Sequence, residues 1–227
     1  MTETSRLCVS FSGLQLHEQC PSAFQRKYIL KEPVVSEGEA SPALVRGNRV
    51  HREIELYLLG ELDELPQEAL GFEGLIDGIK DERDHHPEMR WGLDKDFKVV
   101  SFDDKANAIC RGMLDLAYQH DDIAHIKEWK TGKMYGEHAE QRSMYGLAGL
   151  SIFPDAKAVQ VDTIYLDAGI VHPTTFASYQ APSLQWIWGR KINAVQPPKP
   201  YPQKKSWKCK FCLYHEDKGG TCNGKST

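Results

Sequence analysis

The chain has 227 residues, 41% of them hydrophobic and 26% charged, with a formal net charge of −4. This is ordinary globular composition, and the length suits one domain, or a domain with a small appendage, able to bury a core without staples. The numbers argue against a membrane-spanning helix, because no apolar run approaches ~20 residues, and against a protein that only coats nucleic acid, which would be basic. Met1 to Arg6 is polar and lacks the apolar stretch of a signal peptide, so a cytoplasmic protein is expected, in its own cell or in a host.

Ser10 to Leu30 reads as a helix with Ser12 as N-cap and with Leu14, Phe24, Tyr28 and Ile29 on its buried face. Pro21 divides it in two. Lys31 to Pro42 is a loop of mixed charge. Ala43 to Leu59 is the clearest helix: Leu44, Val50, Ile54, Tyr57 and Leu58 recur at helical spacing, and Gly60 closes it. Pro66 to His86 again reads as helix, with Leu70, Leu75, Ile76 and Ile79 inward. The texture changes near Trp91, and Phe97 to Val100 is a short strand. Ala108 to Gln119 and Ile123 to Thr131 read as strands joined by the turn residues His120-Asp121-Asp122, making a β-hairpin. Glu140 to Leu150 is a helix, Val159 to Leu166 a strand, and Ser183 to Ile192 a last helix carrying Trp186 and Trp188. Pro197 to Pro202 is an extended connection into a cysteine-bearing tail.

The hairpin carries the chemistry. Glu128 and Lys130 stand two apart on one strand and so project from one face, while Trp129 turns into packing. Asp115 lies on the partner strand and, with the turn at Asp121-Asp122, can come beside them, depending on register. Two carboxylates and an ammonium at one locus suit a magnesium or manganese ion acting on a phosphate. The plainer alternative is a half-exposed strand with a cross-strand ion pair. In the clear helix, His51 follows Gly47 by four and shares a face with Glu55. Gln141 and Tyr145 are also four apart, on the helix after Lys130.

Two features lie toward the C-terminus. Gly189 to Cys212 holds Arg190, Lys191, Lys199, Lys204, Lys205, Lys208 and Lys210 with no Asp or Glu, a stretch fit either to lie along phosphates or to be a solvated basic surface. Of the six cysteines, Cys8 and Cys110 stand alone and read as ordinary thiols. Cys209, Cys212 and Cys222 cluster, and a reducing compartment makes metal the first reading of such a group. Zinc held by Cys209, Cys212, Cys222 and either Cys20 or His215 is one form; metal-free thiols are the other alternative.

In order, Gly47-x-x-x-His51, Gly112-Met113-Leu114-Asp115, Glu128-Trp129-Lys130 and Gln141-x-x-x-Tyr145 resemble the RecB-type, CRISPR-associated-exonuclease-like branch of the PD-(D/E)XK nuclease superfamily. Phe11-Ser12-x-Leu14 leading to Cys20-Pro21 and Phe24 is similar to that branch's N-terminal segment. Trp207 to Cys212 with the later Cys222 resembles its C-terminal cysteine cluster, so the likeness runs from about Ser10 to Cys222. Leu114 stands where the superfamily name has proline.

The resemblance implies a mixed α/β, restriction-endonuclease-like fold, with a central mixed sheet flanked by helices. It implies that His51, Asp115, Glu128 and the backbone carbonyl of Trp129 hold Mg2+ or Mn2+, and that Lys130 is the catalytic lysine. Gln141 and Tyr145 would align DNA, with Glu55 in support. Cys20, Cys209, Cys212 and Cys222 would hold a [4Fe-4S] cluster, with Zn2+ as the alternative. The organisation implied is one nuclease domain over residues 1–227, its core at about 10–195 and a clasp at 196–227 that pairs with Cys20. The activity implied is hydrolysis of DNA phosphodiesters at DNA ends, in recombination, repair or replication, with a phage-type member in view. Relatives of this class include rings, which leaves a homo-oligomer open. The rival classes are a DNA-binding iron–sulfur or zinc protein with a vestigial nuclease site, and a redox sensor organised around the cysteines.

Overall fold

The computed structural model describes residues 6–34, 41–82 and 84–223. The expectation on Met1 to Arg6, apart from Arg6, and the middle of the Lys31 to Pro42 loop lie outside these residues. The chain forms two compact units, one made of its two ends (residues 1–40 and 190–227) and one of residues 41–189.

In the end unit, α1 (Phe11–Gln19) is capped by Ser10, whose Oγ accepts the Gly13 N–H at 3.2 Å. The expected cap, Ser12, already lies inside the first turn; Ser10 is the residue with extended backbone, and its geometry lets the hydroxyl reach back. Cys20 is also extended, and Pro21 opens the short α2 (Pro21–Phe24), where its missing N–H costs nothing. A wide helical turn, Gln25–Leu30, follows and ends at Lys31 in left-handed backbone. The two termini are knitted by hydrogen bonds. Ser22 N–H donates to the Pro202 carbonyl at 3.2 Å, and the Gln196 side chain bonds both the N–H and the carbonyl of Leu7 at 2.8 and 3.0 Å. Phe24, fully buried, packs against Tyr201 and His17.

The larger unit begins with α3 (Pro42–Leu58), capped by Ser41, and α4 (Glu73–Lys80). Its sheet contains β1 (His86–Leu93), β2 (Val99–Val100), β3 (Cys110–His120), β4 (Ile123–Lys130), β5 (Ala158–Tyr165) and β6 (Ile170–Ala177), in the spatial order β2-β1-β3-β4-β5-β6. Only β4 and β5 are parallel, and their connection is the crossover helix α5 (Glu137–Ile152) that such a pair requires. β5 is buried along most of its length, as a strand covered on both faces must be. α5 comes close because Gly149 has no side chain: a Cβ there would lie 2.7 Å from Val159. On the opposite face Val50, Ile54 and Leu58 of α3 pack with Ile76, Ile79, Leu116, Trp129 and Ile164 into one core. A last helix, α6, spans Ala181–Ala194.

The hairpin forms as expected, β3 and β4 pairing Leu116 with Lys127 through to His120 with Ile123. The sheet is mixed and carries helices, in agreement with the expected fold class. One expectation needs correction and two strands were missed. The segment from Pro66 to His86 is not one helix: it is a tight turn (Gln67–Phe72), then α4, and His86 already belongs to β1. Trp91 and Leu93 are buried because seven residues of β1 pair with β3, a partner that no local periodicity reveals. The edge strand β6 went unrecognised because its residues are mostly exposed and it carries His172 and Pro173; pairing with β5 makes it a strand. Lys127 and Asp162, opposite each other on β4 and β5, form a buried ion pair at 2.6 Å, and Gln160 donates a further bond to Asp162. Among the described residues no helix is long and apolar enough to cross a membrane.

Candidate active site

The site arises from register. The β3–β4 pairing, continued by one step beyond Leu116 and Lys127, sets Asp115 across from Glu128. The β1–β3 ladder pairs Pro87 with Leu116 and Met89 with Leu114, which sets Glu88 across from Asp115 at the step between. Glu88, Asp115 and Glu128 therefore stand abreast on three neighbouring strands, and Lys130 follows on the same face of β4. Directly opposed like charges destabilise a sheet, and the backbone here is irregular as well: Glu88 has φ +49, in the left-handed region that a non-glycine residue enters at a cost.

The side chains are tied to one another. Asp115 Oδ2 accepts the Trp129 N–H at 2.8 Å and lies 3.4 Å from His51 Nδ1. His51 reaches the sheet from α3, one turn after Gly47. A Cβ on Gly47 would lie 3.3 Å from the Thr131 hydroxyl, so the glycine lets the chain leaving β4 pass close to the helix. Glu128 Oε1 accepts from Lys130 Nζ at 2.5 Å and from Gln141 Nε2 at 2.9 Å, and the same Gln141 amide donates to the Tyr145 hydroxyl at 2.8 Å. The i, i+4 spacing of Gln141 and Tyr145 on α5 makes this chain possible. Among the described residues Glu128 Oε2 is buried with no hydrogen-bond partner.

The electrostatics show a surplus of negative charge. Burial and the nearby Asp115 push the Glu88 carboxyl up to about 7, against the opposing pull of His51. Burial and Asp115 likewise raise Glu128, although Lys130 works the other way. Burial disfavours the His51 cation, but Asp115 and Glu128 outweigh it and lift the imidazole to about 9. Burial also opposes the Lys130 ammonium, and Glu128 overcomes it, so the lysine is held protonated. The Tyr145 phenol is raised by burial and then by the same carboxylates.

A cavity of about 600 Å³ opens here, bordered by Gly47, His51, Glu55, Glu88, Asp115 and Lys130, with Trp129 also on its wall. Glu55 is occupied by Arg52 at 2.6 Å. One ligand atom each from His51, Glu88 and Asp115 lies within 4.8 Å of the others. Carboxylate oxygens with one imidazole, beside an orphaned carboxylate oxygen on Glu128, form a donor set that fits magnesium or manganese. Of this group Glu88 escaped sequence reasoning. The signal that would have found it is the alternation Met89, Trp91, Leu93, which assigns a strand and puts Glu88 on the opposite face.

Cys20, Cys209, Cys212 and Cys222 border one cavity of about 670 Å³ within the end unit, as does His215, and none of the six cysteines is in a disulfide. Burial raises the Cys212 thiol, with Cys20, Cys222 and Cys209 adding to the effect. Among the described residues no three cysteine sulfurs gather within 4.8 Å as the His51 group does, so the cysteines are not drawn in around a single ion, and no metal clasp between the termini is shown.

Comparison with known proteins bears on this geometry. The sequence profile of the PD-(D/E)XK nuclease superfamily matches residues 8–216. Among solved structures, the crystal structure of SSO0001 is similar with 17% identity and a TM-score of 0.47, covering 100% of this chain and 90% of that one. A proposed exonuclease from Eubacterium rectale is similar with 12% identity and a TM-score of 0.44, covering 84% of this chain and 81% of that one. No curated protein matches the chain. The family match runs from Cys8 to Glu216 and takes in every strand of the sheet; the chain belongs to the PD-(D/E)XK nuclease superfamily.

Proposed function

We propose that the chain is a divalent-metal-dependent deoxyribonuclease of the RecB-like branch, of phage type, acting as an exonuclease at DNA ends in recombination, repair or replication. The observation that supports it is the row of Glu88, Asp115 and Glu128, three carboxylates abreast with one oxygen unpartnered and an ammonium beside them. Such a row lowers the stability of the metal-free fold, and a cation relieves it.

His51, Glu88, Asp115, the free oxygen of Glu128 and the backbone carbonyl of Trp129 would hold Mg2+ or Mn2+. When bound, the ion polarises the scissile phosphate and acidifies a water. Lys130, fixed on Glu128 Oε1, places its positive charge where phosphate oxygens gain negative charge as the water oxygen bonds to phosphorus and the ester P–O bond breaks. Gln141 holds Glu128 and Tyr145 in line and aligns the strand near the reacting phosphate. Cys20, Cys209, Cys212 and Cys222 are assigned to a [4Fe-4S] cluster that joins the termini. Their common place on the wall of one cavity supports a shared metal group, with Zn2+ on the same thiolates as the alternative.

The test is digestion of end-labelled linear DNA and of circular DNA with Mg2+ or Mn2+. Linear DNA should be cut and covalently closed circles spared. Lys130→Ala should slow cutting at least about 100-fold while circular dichroism and melting stay near those of the parent. Unchanged cutting by that variant overturns the role of Lys130, and digestion of closed circles overturns the exonuclease mode. Iron, sulfide and zinc analysis after anaerobic purification tests the cluster: a visible absorption band that Cys212→Ser abolishes supports it, and stoichiometric zinc without iron refutes it.

A further inference from the structure

Unit-end residues Trp207 and Phe211 are 70% and 64% exposed, an uncommon state for two large neighbouring rings. They meet edge to face, centroids 6.0 Å apart, on a single tight turn, Trp207–Phe211. The turn is held in shape from beneath. Ser206 Oγ accepts the Lys208 N–H at 3.2 Å, Cys209 Sγ accepts the Ser206 N–H at 3.3 Å, and Cys212 N–H bonds the Cys209 carbonyl at 2.9 Å. The rings are thus presented to solvent by a fixed backbone.

Lysines surround them. Lys208 Nζ lies 5.8 Å from the Trp207 ring centre, and Lys210 Nζ lies 6.0 Å from Trp207 and 4.9 Å from Phe211. Lys204 and Lys205 border the adjoining cavity, where the only carboxylate on the wall among the described residues, Glu32, is taken by Arg26 at 3.0 Å. No Asp or Glu occurs between Gly189 and Cys212. A cationic rim whose one carboxylate neighbour among the described residues is already paired suits a polyanion, and two solvent-exposed aromatic rings suit unpaired bases, whose π-faces a duplex hides. An acidic peptide would engage the lysines but leave the rings without a stacking partner.

We propose that the Trp207–Phe211 turn is a binding platform for single-stranded nucleic acid, with bases stacked on Trp207 and Phe211 and phosphates against Lys204, Lys205, Lys208 and Lys210. It deepens the nuclease reading, on which it rests for a polynucleotide as ligand.

The test uses the full chain as isolated, carrying Lys130→Ala, without added divalent metal, so that binding is read apart from cutting. The probes are a fluorescent oligothymidylate and a duplex of equal length. Stacked rings contribute on the order of 1–3 kcal/mol per base, so Trp207→Ala with Phe211→Ala should weaken oligothymidylate binding at least about fivefold. Trp207→Phe, which keeps a ring, should restore most of the loss due to that position. Lys208→Gln with Lys210→Gln should reduce the log–log salt slope by about 1.4. The emission difference between the parent and Trp207→Phe isolates Trp207, and oligothymidylate should quench it.

Three results overturn the proposal: no quenching of Trp207 at saturation, unchanged affinity after loss of both rings, or a duplex bound as tightly with the same dependence on the rings. The quenching readout does not depend on the stability of any alanine variant. Cutting is scored separately with Lys130 intact. A chain that binds oligothymidylate through the turn but never cuts DNA refutes the nuclease reading alone; one that cuts DNA without using the turn refutes this proposal alone.

Discussion

Replacing Glu88 with glutamine should move metal-free stability and metal affinity in opposite directions. Glu88 faces Asp115 across the β1–β3 pairing, and burial with that neighbour raises its carboxyl from the ordinary 4.5 to about 7. An acid whose folded pKa lies above its unfolded value binds its proton more tightly in the native state. Its contribution to stability is therefore complete below about pH 4.5 and is lost as pH rises through about 7. The displacement corresponds to about 3 kcal/mol, which screening by water in the open cavity reduces to about 1–3 kcal/mol. Glutamine keeps the shape and the backbone conformation but never carries the charge. At pH 8 with chelator, Glu88→Gln should melt higher than the parent by about 2–4 °C for each kcal/mol recovered, and at pH 4.5 the two should coincide. With Mn2+ the order should reverse, because a ligand is lost: calorimetric affinity should fall by about tenfold or more. A variant that melts lower at pH 8 without metal, or binds Mn2+ as the parent does, would refute the reasoning.

Binding of Mn2+ should release protons. His51, raised to about 9 by Asp115 and Glu128 against its burial, is an imidazolium at neutral pH and must become neutral to act as a ligand. Affinity should therefore climb as pH rises toward about 9, and titrations in two buffers of different ionisation enthalpy should show proton release at pH 7.5; none would count against His51 as a ligand. Asp162→Ala strands the Lys127 ammonium, 3% exposed, without its partner. Urea denaturation should show a loss of about 3–5 kcal/mol, and a loss below 1 kcal/mol would mean that water reaches the lysine. Gly112→Ala brings a Cβ to 2.7 Å from the buried Trp91 ring. Overpacking of about 1–3 kcal/mol is expected by the same method, and a neutral result would show that β1 can shift against β3.

The hairpin was readable because its two signals are local. Apolar alternation marks β3 and β4, and Asp121-Asp122 between them is turn chemistry, Asp121 adopting φ +50. Helix α3 was readable for the same reason, carrying its inward face in its own spacing, and α5 was readable from a long apolar run, Met144 to Gly149 being buried all round. His51, Asp115, Glu128, Lys130, Gln141 and Tyr145 could be nominated from motif order, and the structure brings all six into one set of bonds and contacts. β1 and β6 were missed. The short alternation of Met89, Trp91 and Leu93 in β1 follows a run of charged and histidine residues that masks it, and β6 is an exposed edge that is a strand because β5 supplies its hydrogen bonds.

By itself the sequence nominated the candidates for the chemistry: the carboxylates and lysine at alternating positions, the histidine one helical turn beyond a glycine, and the cysteines near both ends. Tertiary structure alone decided that Glu88 joins them. Its place depends on the alignment of β1 with β3, and strand alignment is set by hydrogen bonds between segments separated in the chain rather than by the composition of either one.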